Sequence, residues 1–191
     1  MTEIELREQT GQFIEICHRD IRRDGIEKLL GWIDKTDFYK VPASTKYHGA
    51  YEGGLCQHSL DVLSQAVPLA NAYGIEASIE SLTICSLFHD VCKANFYKEE
   101  MRNQKVNGEW VQVPFYTVEE KFPYGGHGSK SVFLIERFMK LTLEEAVAIN
   151  CHMGFSDAGN AAMNIGRAYE KYPLAWIIHV ADEAATYLLK R

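Results

Sequence analysis

Apolar side chains recur at intervals of three and four residues through most of this chain, a pattern typical of amphipathic α-helices. The pattern predicts helices at residues 3–21, 24–35, 55–72, 78–92, 128–140, 142–152, 158–171 and 173–190. The sixth of these follows Thr142, and Glu145 three residues later completes a capping-box pattern. The chain is therefore expected to be all-α, apart from one short segment.

That segment, residues 104–118, reads QKVNGEWVQVPFYTV and alternates strand-forming residues around an Asn-Gly pair. Such a pair between two runs of this kind is a strong signal for a two-residue hairpin turn. We expect a small β-hairpin insertion here, lying beside the functional site. Its aromatic residues Trp110, Phe115 and Tyr116 are then placed to cover a base or another apolar part of a substrate.

No repeat, low-complexity tract or linker divides the chain, so its 191 residues predict a single domain. We expect helices within residues 1–45 to pack on a core formed by residues 46–190. No apolar run approaches the roughly 20 residues that span a bilayer, and the acidic amino terminus is not typical of a signal peptide. Five cysteines without a C-x-x-C pair argue against a disulfide framework. Together these features predict a cytoplasmic protein with no membrane partner.

The formal net charge of −6 limits the class of partner further. Lys and Arg total 20 against 26 Asp and Glu, whereas a protein that holds a long nucleic acid usually presents a basic surface to the phosphates. We therefore expect no long nucleic acid as a partner. A local basic pocket for a small phosphate compound is compatible with this composition.

The candidate chemistry lies among the seven histidines. His58 follows two glycines at the start of a predicted helix, and His127 lies in a similar glycine-rich stretch, YGGHGSKS. His152 ends another predicted helix. Glycines and helix ends allow several helices to converge on one point without crowding. His18 has no such context and is interpreted as a surface or structural residue.

Two aspartates lie in unusually apolar surroundings. His89 and Asp90 stand side by side at the end of an apolar segment, and Asp182 lies in an otherwise apolar terminal helix. Burying a carboxylate without a partner costs several kcal/mol. Our hypothesis is that a divalent cation offsets this charge, with both His89 and Asp90 reaching it from a helix end.

Imidazole and carboxylate together suit Mn, Fe, Co, Ni or Zn, and a site rich in carboxylate also takes Mg. The plainer alternative is that each histidine is a packed or surface residue, which is the usual case for one helical histidine taken alone. Cys92 and Cys151 adjoin proposed ligands. Both are most simply interpreted as buried small residues, with thiolate ligation as the alternative.

Four residues carry a resemblance to a known family. The order His58 … His89-Asp90 … Asp182 resembles the H…HD…D signature of the HD-domain superfamily of metal-dependent phosphohydrolases, over residues 46–187. The stretch EGGLCQHSLDV is similar to one in the superfamily's 3′–5′ exoribonuclease branch, and HDVCK resembles HDIGK. The fold implied is a single HD-domain helical bundle.

The chain also departs from its relatives in that superfamily. Cys92 stands where HDIGK has glycine, which alters the backbone beside the site but removes no ligand. The residues before the matching region leave no room for the OB-fold module of the exoribonucleases, and the GYP motif of the cyclic-dinucleotide esterases is absent. We therefore expect a small stand-alone HD domain.

The resemblance implies a role for each candidate residue. A first divalent ion would be held by His58, His89, Asp90 and Asp182, and a second by His127 and His152 with Asp90 bridging. Lys93, one turn beyond Asp90, would bind phosphate oxygens and act with Asp90 in catalysis, while His48 would line the substrate pocket. The alternatives are a solvated helix-end cation for Lys93 and an ordinary loop histidine for His48.

The function implied is that of a metal-dependent phosphohydrolase, a phosphomonoesterase or phosphodiesterase, with one or two divalent ions per chain. It would direct a metal-activated water at a nucleotide or another small phosphoester. The same ligand set also fits a di-iron oxygenase. A 3′–5′ exonuclease on short oligonucleotides is disfavoured by the acidic charge, and a non-catalytic ligand-binding module would be expected to have lost ligands.

Overall fold

The structure, a computed structural model, describes residues 1–45, 49–156 and 162–189. The helices within these ranges are α1 (Glu3–Asp20), α2 (Ile26–Ile33), α3 (Gly54–Tyr73), α4 (Ile79–Phe88), α5 (His127–Glu136), α6 (Leu143–Cys151), α7 (Ala162–Lys171) and α8 (Pro173–Ala184). Two strands, β1 (Tyr97–Val106) and β2 (Glu109–Val118), form an antiparallel sheet. None of the described helices is long and apolar enough to cross a membrane. The prediction of an all-α fold with a small hairpin insertion is confirmed.

The predicted capping box at the start of α6 is present. The hydroxyl of Thr142 accepts a hydrogen bond from the backbone N–H of Glu145, and the Glu145 carboxylate accepts one from the N–H of Thr142 at 2.8 Å. Thr2 and Glu5 form the same motif at the start of α1. Each box satisfies backbone donors that have no partner within the helix, which fixes where that helix begins.

Three helices end four or more residues earlier than the apolar spacing predicts. α4 stops at Phe88, and a 3₁₀ turn at Val91–Lys93 follows. α5 stops at Glu136, and α8 passes into a π-helical turn at Ala185–Leu189. Apolar spacing reports which side chains are buried, not how the backbone is bonded, so it continues across such tight or wide turns. Residues 157–161, the start of the predicted seventh helix, lie outside the described residues.

The β-hairpin turns at the predicted Asn-Gly pair. Asn107 and Gly108 have φ angles of 52° and 95°, the positive values that a type I′ turn requires at both positions. The ladder runs back from this turn to the pair formed by Tyr97 and Val118, so the hairpin is longer than the predicted 104–118. Most of β1 is exposed on both faces, and its charged sequence therefore lacks the alternation that marks a half-buried strand.

The core lies where α3, α4, α6 and α8 meet. In α4 every residue from Leu82 to Phe88 is buried, so this helix contacts neighbours on all sides. The largest fully buried side chains include Phe13, Phe38, Phe88, Leu55, Ile84, Leu87, Ile149 and Leu174. Residues that follow directly after α4 therefore start from the centre of the domain.

Aromatic contacts join α1 to the end of α4. The ring of Phe13 lies 5.9 Å from the ring of Phe88 and 5.5 Å from that of Phe38, in edge-to-face arrangements. Tyr39 lies 5.6 Å from the Phe13 ring. Such pairs contribute about 0.5–1.5 kcal/mol beyond the area they bury. They therefore hold the last residue of α4 against α1.

A buried ion pair ties the connection between α1 and α2 to the start of α6. Arg23 donates hydrogen bonds to both carboxylate oxygens of Glu145, one of them at 3.0 Å. Glu145 is fully buried and also accepts from the Ser81 hydroxyl at 2.8 Å. Burial raises the pKa of Glu145, but the hydrogen bonds from Arg23, the Thr142 backbone and Ser81 together outweigh it, so the pKa lies below its usual value. The carboxylate therefore remains charged and depends on Arg23.

Replacing Arg23 by alanine should lower the free energy of unfolding by roughly 2–4 kcal/mol, because the Glu145 carboxylate would stay buried without its cation. Arg7→Ala is the matched control. The pair of Arg7 with Glu3 is 78% exposed on both sides, so its loss should cost less than about 1 kcal/mol. Urea denaturation measures both changes. Equal losses in the free energy of unfolding would show that the buried pair stabilises the fold no more than the exposed pair does.

Candidate metal centre

Donor atoms from five of the six predicted metal ligands converge in the interior. One group joins His58, His89 and Asp90, and a second joins His89, His152 and Asp182, with the donor atoms of each group within 4.8 Å of one another. All five residues are buried. Their positions are separated widely in the sequence, so the fold, and not local spacing, brings them together.

His58 and Asp182 connect α3 to α8 at this point. The Nε2 atom of His58 lies 3.0 Å from Oδ1 of Asp182 and 3.3 Å from Nε2 of His89. Ligands held about 2.0–2.2 Å from one ion are separated by roughly 3.0–3.6 Å from each other. These atoms are therefore spaced as ligands of a common ion would be.

His89 and His152 are held in the same way, each as the residue that ends its helix. The Nδ1 atom of His89 lies 2.8 Å from the carbonyl oxygen of Ser86, and that of His152 lies 2.7 Å from the carbonyl of Ile149. Because a carbonyl only accepts, Nδ1 carries the proton in both rings and donates it. The lone pair of Nε2 therefore faces the cluster, as metal ligation requires.

Asp90 uses its two oxygens differently. Oδ2 lies 2.6 Å from the ammonium of Lys93 and 3.5 Å from Nε2 of His89, while Oδ1 lies 3.5 Å from Nε2 of His152. Asp90 Oδ1 and His152 Nε2 are both buried without a hydrogen-bond partner. Two buried acceptors that face each other are unfavourable unless a cation lies between them. The residues present therefore fit a divalent ion.

The charges at this site favour cation binding. Burial raises the pKa of Asp90, but the Lys93 ammonium and the neighbouring imidazoles hold it well below its usual range. Burial also raises the pKa of Asp182, but the hydrogen bond with His58 and the charges of the neighbouring imidazoles together outweigh it, so this pKa is lowered as well. Burial lowers the pKa of His58. Ionised carboxylates beside a neutral imidazole are the protonation states in which these side chains bind metals.

His127, the sixth predicted ligand, lies in a separate group. Its Nδ1 atom is 3.5 Å from the sulfur of Cys92, and the two residues form a ligand group with Asp90. Gly128 allows this placement, because a Cβ there would lie 2.4 Å from the carbonyl oxygen of Asn150 in α6. Among the described residues, His127 and His152 do not share a ligand group. The resemblance placed them on one ion, and that pairing remains a prediction.

Lys93 is buried and paired. Its ammonium donates to the carbonyl of Ala43 at 2.8 Å as well as lying beside Asp90. Tyr97, at the base of the hairpin, donates its hydroxyl hydrogen to the same carbonyl at 3.0 Å. The sequence analysis assigned no role to Tyr97, because the neighbouring residues form no motif that indicates a site residue. His48, the proposed pocket residue, lies outside the described residues.

The hairpin meets the site through its base. Phe115 and Tyr116 line a cavity of about 900 Å³ together with Tyr51 and Arg102, and the Tyr116 ring lies 6.3 Å from that of Tyr97. Trp110 lies elsewhere, since it pairs with Lys105 near the turn and is 71% exposed. That position is about 26 Å along the strand from Tyr97 at the usual rise per residue. The suggestion that Trp110 covers a substrate at this site is therefore corrected.

Comparisons with known proteins identify the family to which these residues belong. The family model of the HD domain matches residues 55–187. Dihydroneopterin 2′,3′-cyclic phosphate phosphodiesterase of Methanocaldococcus jannaschii is 33% identical over 66 residues, covering 32% of this chain and 26% of the relative. The chain thus matches about a quarter of that relative's length. No solved structure shows a significant match. The predicted superfamily is confirmed.

The metal-centre hypothesis predicts that Asp90→Asn lowers the affinity for divalent ions by at least about tenfold, while the fold survives because size is nearly unchanged. Asp182→Asn should behave similarly. The measurements are metal content per chain and the fall in melting temperature that a chelator causes in the native protein.

The matched control is His18→Asn, because His18 is exposed and its ring pairs at 3.1 Å with the exposed Glu27. It should leave both measurements unchanged. Full metal content in Asp90→Asn would contradict the hypothesis.

Proposed function

This chain belongs to the HD-domain family, and from that premise we propose that it is a metal-dependent phosphohydrolase. Its substrate would be a nucleotide or another small phosphoester. The observation that carries the proposal is the pair of buried atoms without partners, Asp90 Oδ1 and His152 Nε2, set 3.5 Å apart among further imidazole and carboxylate ligands. A purely structural cluster would be expected to satisfy such atoms with hydrogen bonds.

The proposed ligands divide between one or two ions. His58, His89, Asp90 and Asp182 would hold the first, and Asp90 would extend to a second on the side of His127 and His152. A divalent ion here would lower the pKa of a bound water to near neutrality and polarise a phosphoryl oxygen. Mn, Fe, Co, Ni, Zn and Mg are the candidate ions.

The chain's own groups would then position the phosphate. An ammonium has three hydrogens. In this structure the Lys93 ammonium forms an ion pair with Asp90 and donates a hydrogen bond to the carbonyl of Ala43. The remaining hydrogen is available for a phosphate oxygen that lies beside Asp90. Because Lys93 is buried, its interaction with phosphate would be little weakened by solvent.

A cyclic phosphodiester carried on a planar ring system is the substrate class we favour. Support comes from the relative, whose name records action on a 2′,3′-cyclic phosphate of dihydroneopterin. Further support comes from the cavity of about 900 Å³ lined by Tyr51, Phe115 and Tyr116, whose rings suit stacking on a base or pterin. Arg102 in the same cavity lies 5.3 Å from the Phe115 ring and supplies a cation for further phosphates.

The test is hydrolysis of a phosphoester panel by the purified chain loaded in turn with Mn, Co, Ni or Mg. The panel should contain 2′,3′-cyclic nucleotides, linear diesters, monoesters and short oligonucleotides, with Asp182→Asn as the inactive control. We expect cyclic phosphodiesters to be hydrolysed fastest. Absence of hydrolysis by the folded, metal-loaded protein would contradict the proposal, and oxygen consumption by the iron-loaded protein would favour an oxygenase.

Lys93→Met should slow hydrolysis by roughly 100-fold, the usual effect of removing one donor to a reacting oxyanion. Metal content should be retained, because Lys93 contacts phosphate and not the ion in this scheme. Lys130→Met is the matched control, since Lys130 is also a buried lysine and pairs with Glu120. Initial rates and metal content should be measured for both variants. Loss of metal in Lys93→Met in proportion to loss of rate would assign Lys93 to metal binding instead.

A further inference from the structure

Cys92 belongs to a third group of possible metal ligands, which shares Asp90 with the cluster described above. Its sulfur is 3.5 Å from Nδ1 of His127. Together with an Asp90 oxygen these atoms form a compact set, all within 4.8 Å of one another. Cys92 and Asp90 are buried and His127 is half-buried, so solvent reaches this group only at His127.

The spacing of these atoms matches coordination of one ion. For zinc bound tetrahedrally by a thiolate and an imidazole, usual bond lengths place the sulfur and nitrogen about 3.5 Å apart. The observed separation has that value. A hydrogen bond from the thiol to the imidazole would have a similar length. The distance alone therefore does not distinguish metal ligation from a hydrogen bond.

The backbone holds the thiol where ligation requires it. Cys92 lies in the 3₁₀ turn Val91–Lys93, and its N–H donates to the Ser131 hydroxyl of α5 at 3.2 Å. His127 is the first residue of that same helix. One hydrogen bond thus fixes the turn that carries Cys92 against the helix that carries His127.

A second observation concerns Asp90, which this group shares with the cluster described above. Asp90, which belongs to this set, has a buried Oδ1 without a hydrogen-bond partner, and Oδ2 is already paired with Lys93. Asp90 therefore still has one buried oxygen without a positive partner. A cation held by Cys92 and His127 would supply it.

We propose that Cys92 is a thiolate ligand of a divalent ion that Asp90 and His127 also hold. A site with sulfur, nitrogen and oxygen donors selects zinc, cobalt or ferrous iron over magnesium. The inference rests on the metal centre proposed above but not on the reaction assigned to it, and it gives His127 a different neighbour from the one that the family resemblance implies.

Cobalt binding tests the thiolate directly, because a thiolate bound to Co²⁺ gives a sulfur-to-cobalt charge-transfer band in the near ultraviolet. When the native chain is titrated with Co²⁺, the intensity of this band should rise in proportion to the amount of Co²⁺ bound. Cys92→Ser should lose it and bind Co²⁺ at least about tenfold more weakly, while its affinity for Mn²⁺ should fall less. Serine keeps the size and a hydroxyl hydrogen, so a merely structural thiol would be replaced without these effects.

Cys151→Ser is the matched control. Cys151 is also buried and adjoins His152, but its sulfur contacts the side chain of Asn150 at 3.9 Å and belongs to none of the ligand groups found among the described residues. This variant should keep the band. Circular dichroism and melting curves verify that each variant is folded.

The outcomes separate the two proposals. Cobalt bound by the native chain without the band would overturn the thiolate inference and leave the metal centre standing. Loss of the band in Cys151→Ser, with retention in Cys92→Ser, would also overturn it. Failure of the native chain to bind any ion would overturn both proposals, whereas lack of phosphoester hydrolysis would affect only the proposed function.

Discussion

Two ionised carboxylates inside a helical domain impose the constraint on which this structure depends. Asp90 and Asp182 are buried, and removing each from water costs several kcal/mol even after the protein relaxes around it. The ammonium of Lys93 offsets one charge at 2.6 Å, and burial lowers the pKa of His58, the imidazole that lies 3.0 Å from Asp182. Negative charge therefore remains in excess at this point, and a divalent cation is the simplest species that balances it.

The helix ends explain how so many ligands reach one point. Successive residues on a helix point about 100° apart, so His89 and Asp90 could not both face the same ion from within α4. α4 ends at Phe88, and the Ser86 carbonyl that its end leaves without a backbone partner accepts from the His89 ring. Asp90 then begins the tight turn that carries Lys93. The same arrangement at the end of α6 orients His152. A hydrogen bond from the ring to a carbonyl three residues earlier therefore orients a histidine after each of two helices.

The sequence predicted those parts of the fold that local chemistry decides. The Thr142 capping box and the Asn-Gly turn each depend on a few neighbouring residues, and both were found. The metal-ligand candidates were recognisable because histidine and aspartate are unusual beside apolar runs. What could not be predicted depends on contacts distant in sequence. Arg23 gives no sign in its own surroundings that it pairs with Glu145, and the separation of Cys92 from His127 is set by a hydrogen bond to Ser131.

Lys93 illustrates how such distant contacts change the meaning of a motif. One turn beyond Asp90, a lysine would ordinarily be a solvated cation near a helix end. Here the carbonyl of Ala43, fifty residues earlier, accepts hydrogen bonds from both Lys93 and Tyr97. Because one acceptor holds both donors, the position of the lysine and the base of the hairpin are set together.

This shared acceptor also relates the metal centre to the hairpin cavity. Asp90 contacts Lys93, Lys93 and Tyr97 meet at Ala43, and Tyr97 packs beside Tyr116, which lines the cavity. A phosphate bound at the free hydrogen of Lys93 would therefore lie between the ion ligands and the aromatic cavity wall. A small phosphoester with a planar ring attached would place its phosphate at Lys93 and its ring against Tyr116, in a cavity that Glu52, Glu99 and Arg102 also line. The chain of contacts thus links the chemistry expected at Asp90 to the shape of molecule that the neighbouring cavity accepts.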